Sequence, residues 1–278
     1  MLLSKKYVLI FICFLTALQA QSRSDSLLEK AEFLFNSSQY FDAITEYKRT
    51  LFFAKENDLT AKVNFRIAQC YKAGAFFDEA IKYFALAERS SSDAFFLFQI
   101  KTEVVRCNIL RRTTTRALQI CDDLGRDSRF FSRMEEINYW RGWAYMFADD
   151  WENASKSFES FDSPKELKLL CDRVQNDKLS VTFAKVISYI LPGSGQIYSG
   201  KILSGLMSLA WNLAAGYFTV SAFITNRAFD GIVIGELVWL RFYRGNLENA
   251  ENFAEQKNIE IANKALEYLQ NEYRGLKP

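Results

Sequence analysis

The sequence contains no histidine. That removes Ser-His-Asp hydrolysis, His-ligated zinc and the imidazole acid–base chemistry that works near neutral pH. Only three prolines and twelve glycines occur in 278 residues. The chain is therefore poor in the residues that punctuate many-turned sheets, and long helices are easier to build from it. Net charge is +2, without the basic excess of a nucleic-acid binder. The five cysteines form neither a CxxC pair nor a metal-ligand spacing. Paired catalytic carboxylates and a nucleophile elbow are missing too, so a non-enzymatic protein without cofactor, metal or nucleotide is expected.

What is present begins with an address. Lys5 and Lys6 precede an uncharged apolar run from Tyr7 to Leu18, and the small Ala20 follows. This predicts a secretory signal peptide over 1–20, cleaved after Ala20. An uncleaved anchor is the alternative, but the run is short against the ~20 residues a span needs. Cys13 sits inside the apolar run, where a lipoprotein cysteine would not be. Export would put Cys70, Cys107, Cys121 and Cys171 in an oxidising compartment. Buried free thiols on helices are expected, with a Cys107–Cys121 bridge as the alternative.

From about Ser24 to Asp162 the chain repeats itself. Ala43, Ala80, Ala117 and Ala154 recur every 37 residues. Four residues after each stand Tyr47, Phe84, Cys121 and Phe158; three before stand Tyr40, Phe77, Thr114 and Trp151. Twelve before stand Ala31, Ala68, Val105 and Gly142, and nine before stand Leu34, Tyr71, Asn108 and Tyr145. Offsets of three and four are helical, and small residues at two registers let antiparallel helices approach while large ones fill the groove. Arg66–Tyr71 followed by Phe77–Phe84, and the similar runs at Tyr40–Ile44 and Trp151–Ala154, resemble tetratricopeptide repeats, whose period is 34. The third unit departs from that pattern, with Thr114, Asn108 and Cys121 where aromatics are usual. The resemblance implies four antiparallel helix pairs stacked as a solenoid. Ser163-Pro164-Lys165-Glu166 then reads as a helix start with a capping box, opening a terminal cap with Leu167, Leu170, Cys171 and Val174 on one face.

Such stacks present the first helix of each pair along a concave face. Gln69, Lys72, Glu103 and Arg106 fall there and are the candidate peptide-binding residues; a solvated helix face is the plainer alternative. The aromatic stripes are expected in the core.

Composition changes near Leu179. Ile202–Thr225 carries no charge over 24 residues, ~36 Å as a helix at 1.5 Å per residue, enough to cross a bilayer. Ala228–Tyr243 is shorter and includes Asp230, Glu236 and Arg241, but its Gly231-Ile232-Val233-Ile234-Gly235 is a GxxxG run. With Thr225-Asn226-Arg227 as a tight link, a membrane hairpin is predicted. Asp230 would cap its second arm, and Glu236 would pair with Lys201 or hydrogen-bond to Asn212. A proton relay through the lone Glu236 is the lesser alternative. Leu247, Ala250, Ala254, Ile261, Ala262, Ala265, Leu266 and Leu269 then predict an amphipathic tail helix over 244–278.

Before the hairpin, Val181–Leu191 reads as an interfacial helix ended by Pro192 and Gly193. The run Pro192, Gly193, Gly195, Gln196, Tyr198 and Gly200 resembles the PGxGQxYxG motif of small bacterial membrane domains (DUF5683-type, more distantly TM2-like) that often follow tetratricopeptide arrays. Arg241–Asn246, Ala250, Ala254 and Asn258 extend the resemblance, which covers about residues 180–258. It implies a bacterial membrane location more than an activity. Gly195–Lys201 also spells GxxxxGK, but Ile202 replaces the Ser or Thr a P-loop needs, and no apolar strand precedes it.

The expectation is therefore an all-α chain. A tetratricopeptide-like solenoid over 24–175 is followed by a membrane domain over 179–243 and an amphipathic tail helix. The protein would be an inner-membrane-anchored envelope scaffold with its array in the periplasm, binding a protein or peptide partner. The alternative is a transport or assembly component whose hairpin binds partner helices. Lys201, Arg241 and Arg244 would flank the hairpin on the outer side, against the positive-inside tendency.

Overall fold

A computed structural model describes residues 25–54, 57–159 and 165–278. The expected signal peptide and the Ser163-Pro164 helix start lie outside the described residues. Those described are all-α and divide into two compact units, one of residues up to Lys168 together with Leu276–Pro278, the other Leu169–Gly275.

The first unit is a stack of helix pairs. α1 (25–36) pairs with α2 (Tyr40–Phe53), α3 (Asn57–Ala73) with α4 (Phe77–Ser90), α5 (Ala94–Leu110) with α6 (Thr114–Arg126), and α7 (Met134–Phe147) with α8 (Trp151–Phe158). Successive helices pack on one another, and α5 also packs on α7 across the intervening pair member. The first helices end at 36, 73, 110 and 147, a constant interval of 37. The second helices begin at Tyr40, Phe77, Thr114 and Trp151, the register three before each repeat alanine.

The turns explain this regularity. Ser38, Ala75, Arg112 and Asp149, again 37 apart, have φ of 60°, 61°, 63° and 64°. Each lies just past the end of a first helix and satisfies its last carbonyls. In the second pair Ala75 N donates to Lys72 O (2.9 Å) and Phe76 N to Tyr71 O (2.9 Å); in the third, Arg112 N donates to Ile109 O (3.0 Å) and Thr113 N to Asn108 O (2.9 Å). These are the paired bonds of a Schellman motif. The third unit, deviant in side chains, keeps the same backbone. None of the four left-handed positions is glycine, and each side chain there carries roughly 1 kcal/mol or more of backbone strain. Ala75 is exposed. Ala75→Gly should relieve the clash while adding some unfolded-chain entropy, stabilising the array by roughly 0.5–1 kcal/mol, visible as a raised thermal midpoint. A lowered midpoint would show the turn unstrained.

The core follows the repeat registers. Ala31 and Tyr47 share one buried cluster with Ile44, Val63 and Ile67; Ala68, Ala80 and Phe84 share the next with Phe65 and Ile100. Burying such large side chains contributes roughly 1.5–3 kcal/mol each. Cys70, Cys107, Cys121 and Cys171 are all buried; Cys107 and Cys121 are free thiols, so the Cys107–Cys121 bridge does not form. Burial pushes the Cys70, Cys107 and Cys121 thiols up to about 12, which suppresses the reactive thiolate.

α9 (Lys165–Asp177) buries Leu167, Cys171 and Val174, and the boundary between the units falls in its first turn. The second unit continues with α10 (Val181–Ile190), α11 (Ser194–Tyr198), α12 (Ile202–Ile224), α13 (Ala228–Ile234), a π-helical turn (Gly235–Trp239) and α14 (Leu240–Asn271). α10 and α11 both pack on α14, and α11 also on α12. Asn226 (φ 57°) closes α12 with the same left-handed turn that joins the repeats.

One expectation is corrected here. The second arm and the tail do not form separate elements: α13, the π turn and α14 run on as one helical stretch from Ala228 to Asn271. Gly245, the sole glycine near the expected break, costs only about 1 kcal/mol inside a helix and does not stop it. The chain leaves helical geometry after Asn271, so 272–278 is not part of the tail helix.

α12 is the one helix among the described residues long and apolar enough to cross a membrane, and only 22% of its apolar window is buried. Leu203, Leu206, Trp211, Leu213, Tyr217 and Phe218 are all more than half exposed. The small residues turn inward. A Cβ on Gly231 would lie 2.8 Å from the Phe223 ring, and one on Gly235 3.2 Å from Thr219. The GxxxG face is thus used to seat the second arm on α12.

Candidate functional site

Two polar constellations stand out, one in each unit. In the array, the residues eleven before the first three repeat alanines are Glu32, Gln69 and Arg106, and those fourteen before the last three are Arg66, Glu103 and Trp140. Spacings of three along a helix put these on one stripe of α1, α3, α5 and α7. Glu32 Oε1 accepts from Arg66 Nε (2.9 Å) and from the buried Tyr47 hydroxyl (2.8 Å). Arg66 Nη1 donates to Gln69 Oε1 (3.0 Å) and its guanidinium lies 4.9 Å from the centre of the Phe35 ring. Lys72 Nζ donates to Glu103 Oε2 (2.9 Å), and Glu103 Oε1 also accepts from Arg106 Nη1. Arg106 in turn sits 4.9 Å from the centre of the Trp140 ring.

This stripe is neither a bare solvated face nor core. The side chains of Lys72, Glu103 and Arg106 are 14%, 12% and 20% exposed. Burial holds the Lys72 ammonium below its ordinary value, with Glu103 opposing the shift. A half-buried ion network of this kind is sensitive to geometry, because breaking one partner leaves the others desolvated and unpaired. Beside it opens a cleft of about 360 Å³ lined by Leu28, Glu32, Val63, Arg66, Gln69 and Phe96, among others. The four residues picked from sequence therefore fall on one stripe, with Lys72, Glu103 and Arg106 in direct contact. Glu32, Arg66 and Trp140 were missed, although their register in the repeat marks them.

In the second unit, Pro192 and Gly193 turn the chain from α10 into α11. Gly193 has φ 94°, and a Cβ there would lie 2.1 Å from the Gly205 carbonyl oxygen. Only glycine fits. Gly195 is equally confined: its Cβ would lie 2.3 Å from the Ala184 oxygen and 2.6 Å from the Ala250 methyl. Gly193 N donates to Asn246 Oδ1 (2.7 Å), which also accepts from Gln196 Nε2 (3.1 Å) and Ser208 Oγ (3.0 Å). Asn246 Nδ2 donates to Ser188 O (3.1 Å), and its own carbonyl accepts from Gln196 Nε2 (3.1 Å). One buried asparagine on α14 thus ties α10, α11 and α12 together. Asn258, three turns further, brackets Leu179 by accepting from its N–H (2.7 Å) and donating to its carbonyl (2.9 Å). Tyr198 offers its hydroxyl oxygen to Ser180 N (3.3 Å), and Gly200 (φ 80°) makes the tight exit from α11.

The GxxxxGK run is consumed by these contacts. Gly195 N donates to Ser188 Oγ (2.9 Å), Gly200 N to Ile197 O (2.9 Å) and Lys201 N to Gln196 O (2.8 Å). The amides that would cradle a phosphate are already engaged. The expected polar pairings in the hairpin also differ. Asp230 does not cap α13; it faces Arg227 (3.7 Å), both half-exposed. Glu236 is exposed on the π turn. Its two expected partners lie elsewhere: Lys201 Nζ is over the Phe253 ring (5.9 Å), and Asn212 Nδ2 donates to Ser208 O (2.8 Å). Glu236 follows Gly235, the residue that meets Thr219 of α12, and so lies about 100° round the helix from that contact.

Set against known proteins, the chain matches no family model and no curated protein. The class the structure defines is a helix-pair repeat array joined to an all-helical unit with one candidate membrane-spanning helix.

Proposed function

We propose that the protein is a non-catalytic, membrane-anchored scaffold of a bacterial envelope, whose array offers its first-helix stripe to a protein or peptide partner. The observation that carries this reading is the outward placement of the apolar side chains of α12: water would not tolerate so continuous a band, and lipid would. The resemblance to tetratricopeptide arrays supports the partner-binding role, and the PGxGQxYxG-like turn supports the membrane anchor. Lys5, Lys6 and the apolar run to Leu18 support export, which would put the array in the periplasm. The alternative, a hairpin that docks partner helices, is less well supported, because Gly231 and Gly235 already face α12.

Photocrosslinkers at two positions separate these. A benzophenone at Gln69 is expected to capture a protein, and one at Leu213 to capture lipid, with the chain resisting carbonate extraction of membranes. Protein adducts from Leu213 with none from Gln69 would favour the hairpin, and recovery of the chain in the carbonate-soluble fraction would remove the anchor.

A further inference from the structure

The last three residues belong to the first unit. They are not helical, and their main chain is held by two side chains of the array. Arg106 Nη2, on α5, donates to the Lys277 carbonyl (2.9 Å). The Tyr139 hydroxyl, on α7, donates to the Leu276 carbonyl. Two consecutive carbonyls are thus bound by donors from adjacent first helices, at sequence separations of 171 and 137.

The donors are prepared for this. Glu103 and the Trp140 face hold the Arg106 guanidinium, and Glu103 is itself held by Lys72. A pre-oriented guanidinium loses little freedom when it binds a carbonyl, and its bond is charge-assisted. The Leu276 side chain, by contrast, is 58% exposed. At this position main chain is bound and side chain is not.

We propose that the α5–α7 end of the stripe is an acceptor site for an extended peptide main chain, and that the chain's own Leu276–Pro278 is its resident occupant. This rests on the partner-binding reading of the array and adds how that surface is filled. A partner peptide reaching the same donors must displace the tail. Because two carbonyls are the recognised groups, the site accepts extended segments of varied sequence, in competition with an occupant whose tether gives it an effective concentration near millimolar.

The test uses the full chain in detergent with p-benzoylphenylalanine in place of Leu276, a change that leaves both carbonyls intact. An intramolecular crosslink mapping to α5 or α7 is expected. Its yield should fall at least five-fold in the Arg106→Gln/Tyr139→Phe double variant, and at least two-fold in Tyr139→Phe alone, which keeps the ring packing. Free peptide of residues 273–278 at about 10 mM, roughly ten times the tail's effective concentration, should lower it at least five-fold, with helical content by circular dichroism unchanged throughout. A crosslink mapping outside the array, or a yield unmoved by Tyr139→Phe or by the peptide, overturns the proposal. Protein capture from Gln69 is read separately, so a failed tail site with intact capture leaves the scaffold reading standing, and the converse holds.

Discussion

Asn246→Leu is expected to destabilise the second unit by roughly 3–5 kcal/mol, the upper end of single-substitution effects. Leucine has the same number of heavy atoms and the same branching but is bulkier, so some overpacking adds to the loss without being its main source. Lost instead are the acceptor for Gly193 N–H, Gln196 Nε2 and Ser208 Oγ and the donor to the Ser188 carbonyl. Gln196 is fully buried and Asn246 is 2% exposed, so no solvent replaces those bonds. A stranded buried group costs about 1–3 kcal/mol, and the contributions do not add fully. Gly193 has no escape, because its left-handed turn lies against the Gly205 backbone. Ser208→Ala is the contrasting control: it removes a donor and leaves Asn246 with other partners, and should cost about 1 kcal/mol or less. Protease protection of residues 181–271 in detergent would report both. An Asn246→Leu variant within 1 kcal/mol of the parent would show that the turn is held by packing and not by this network.

That network also shows where sequence reasoning stops. The glycines of the turn are visible as a motif, and Asn246 as a distant companion of it. Nothing in one sequence says that Oδ1 of a residue some fifty positions later caps the Gly193 amide, because such a contact depends on how helices cross and not on any local period. The array is the opposite case. Its phase can be read to the residue from Ala43, Ala80, Ala117 and Ala154, because a stacked repeat must present the same surface at each interval. Even there the turns are hidden: Ser38, Ala75, Arg112 and Asp149 share a left-handed conformation but no chemistry, so only the backbone reveals them. The continuous Ala228–Asn271 stretch was obscured for a related reason, since one glycine and a change of polarity look like a boundary while helical propensity carries the chain across it. The tail contacts have no sequence signal at all, because carbonyls carry no residue identity.

Gly142 should be nearly as intolerant as Asn246, and its failure should be repairable. A Cβ at this position would lie 2.4 Å from the tip of the Phe158 ring, which is 1% exposed and has no room to retreat. Gly142→Ala gains about 1 kcal/mol of helix propensity, but overpacking takes more than that back, for a net loss of about 1–2 kcal/mol. Gly142→Val, with three carbons to place, should lose roughly 3 kcal/mol or more. The other repeats indicate the remedy. The register of Gly142 holds Ala31 and Ala68 where that of Phe158 holds Tyr47 and Phe84, whereas in the third pair Val105 stands with Cys121. Both Val105 and Cys121 are buried, so the larger residue on one helix is matched by the smaller on the other and the interior stays filled. Phe158→Cys alone should leave a cavity costing about 3–5 kcal/mol. Combined with Gly142→Val it recreates the third-repeat pair, and the double variant should be more stable than the sum of the two losses by about 2 kcal/mol or more, a coupling typical of residues in contact. Unfolding of the array followed by circular dichroism would measure it. If the two losses simply add, the size exchange between these registers is coincidence, and the third repeat must keep its backbone by means other than complementary volume.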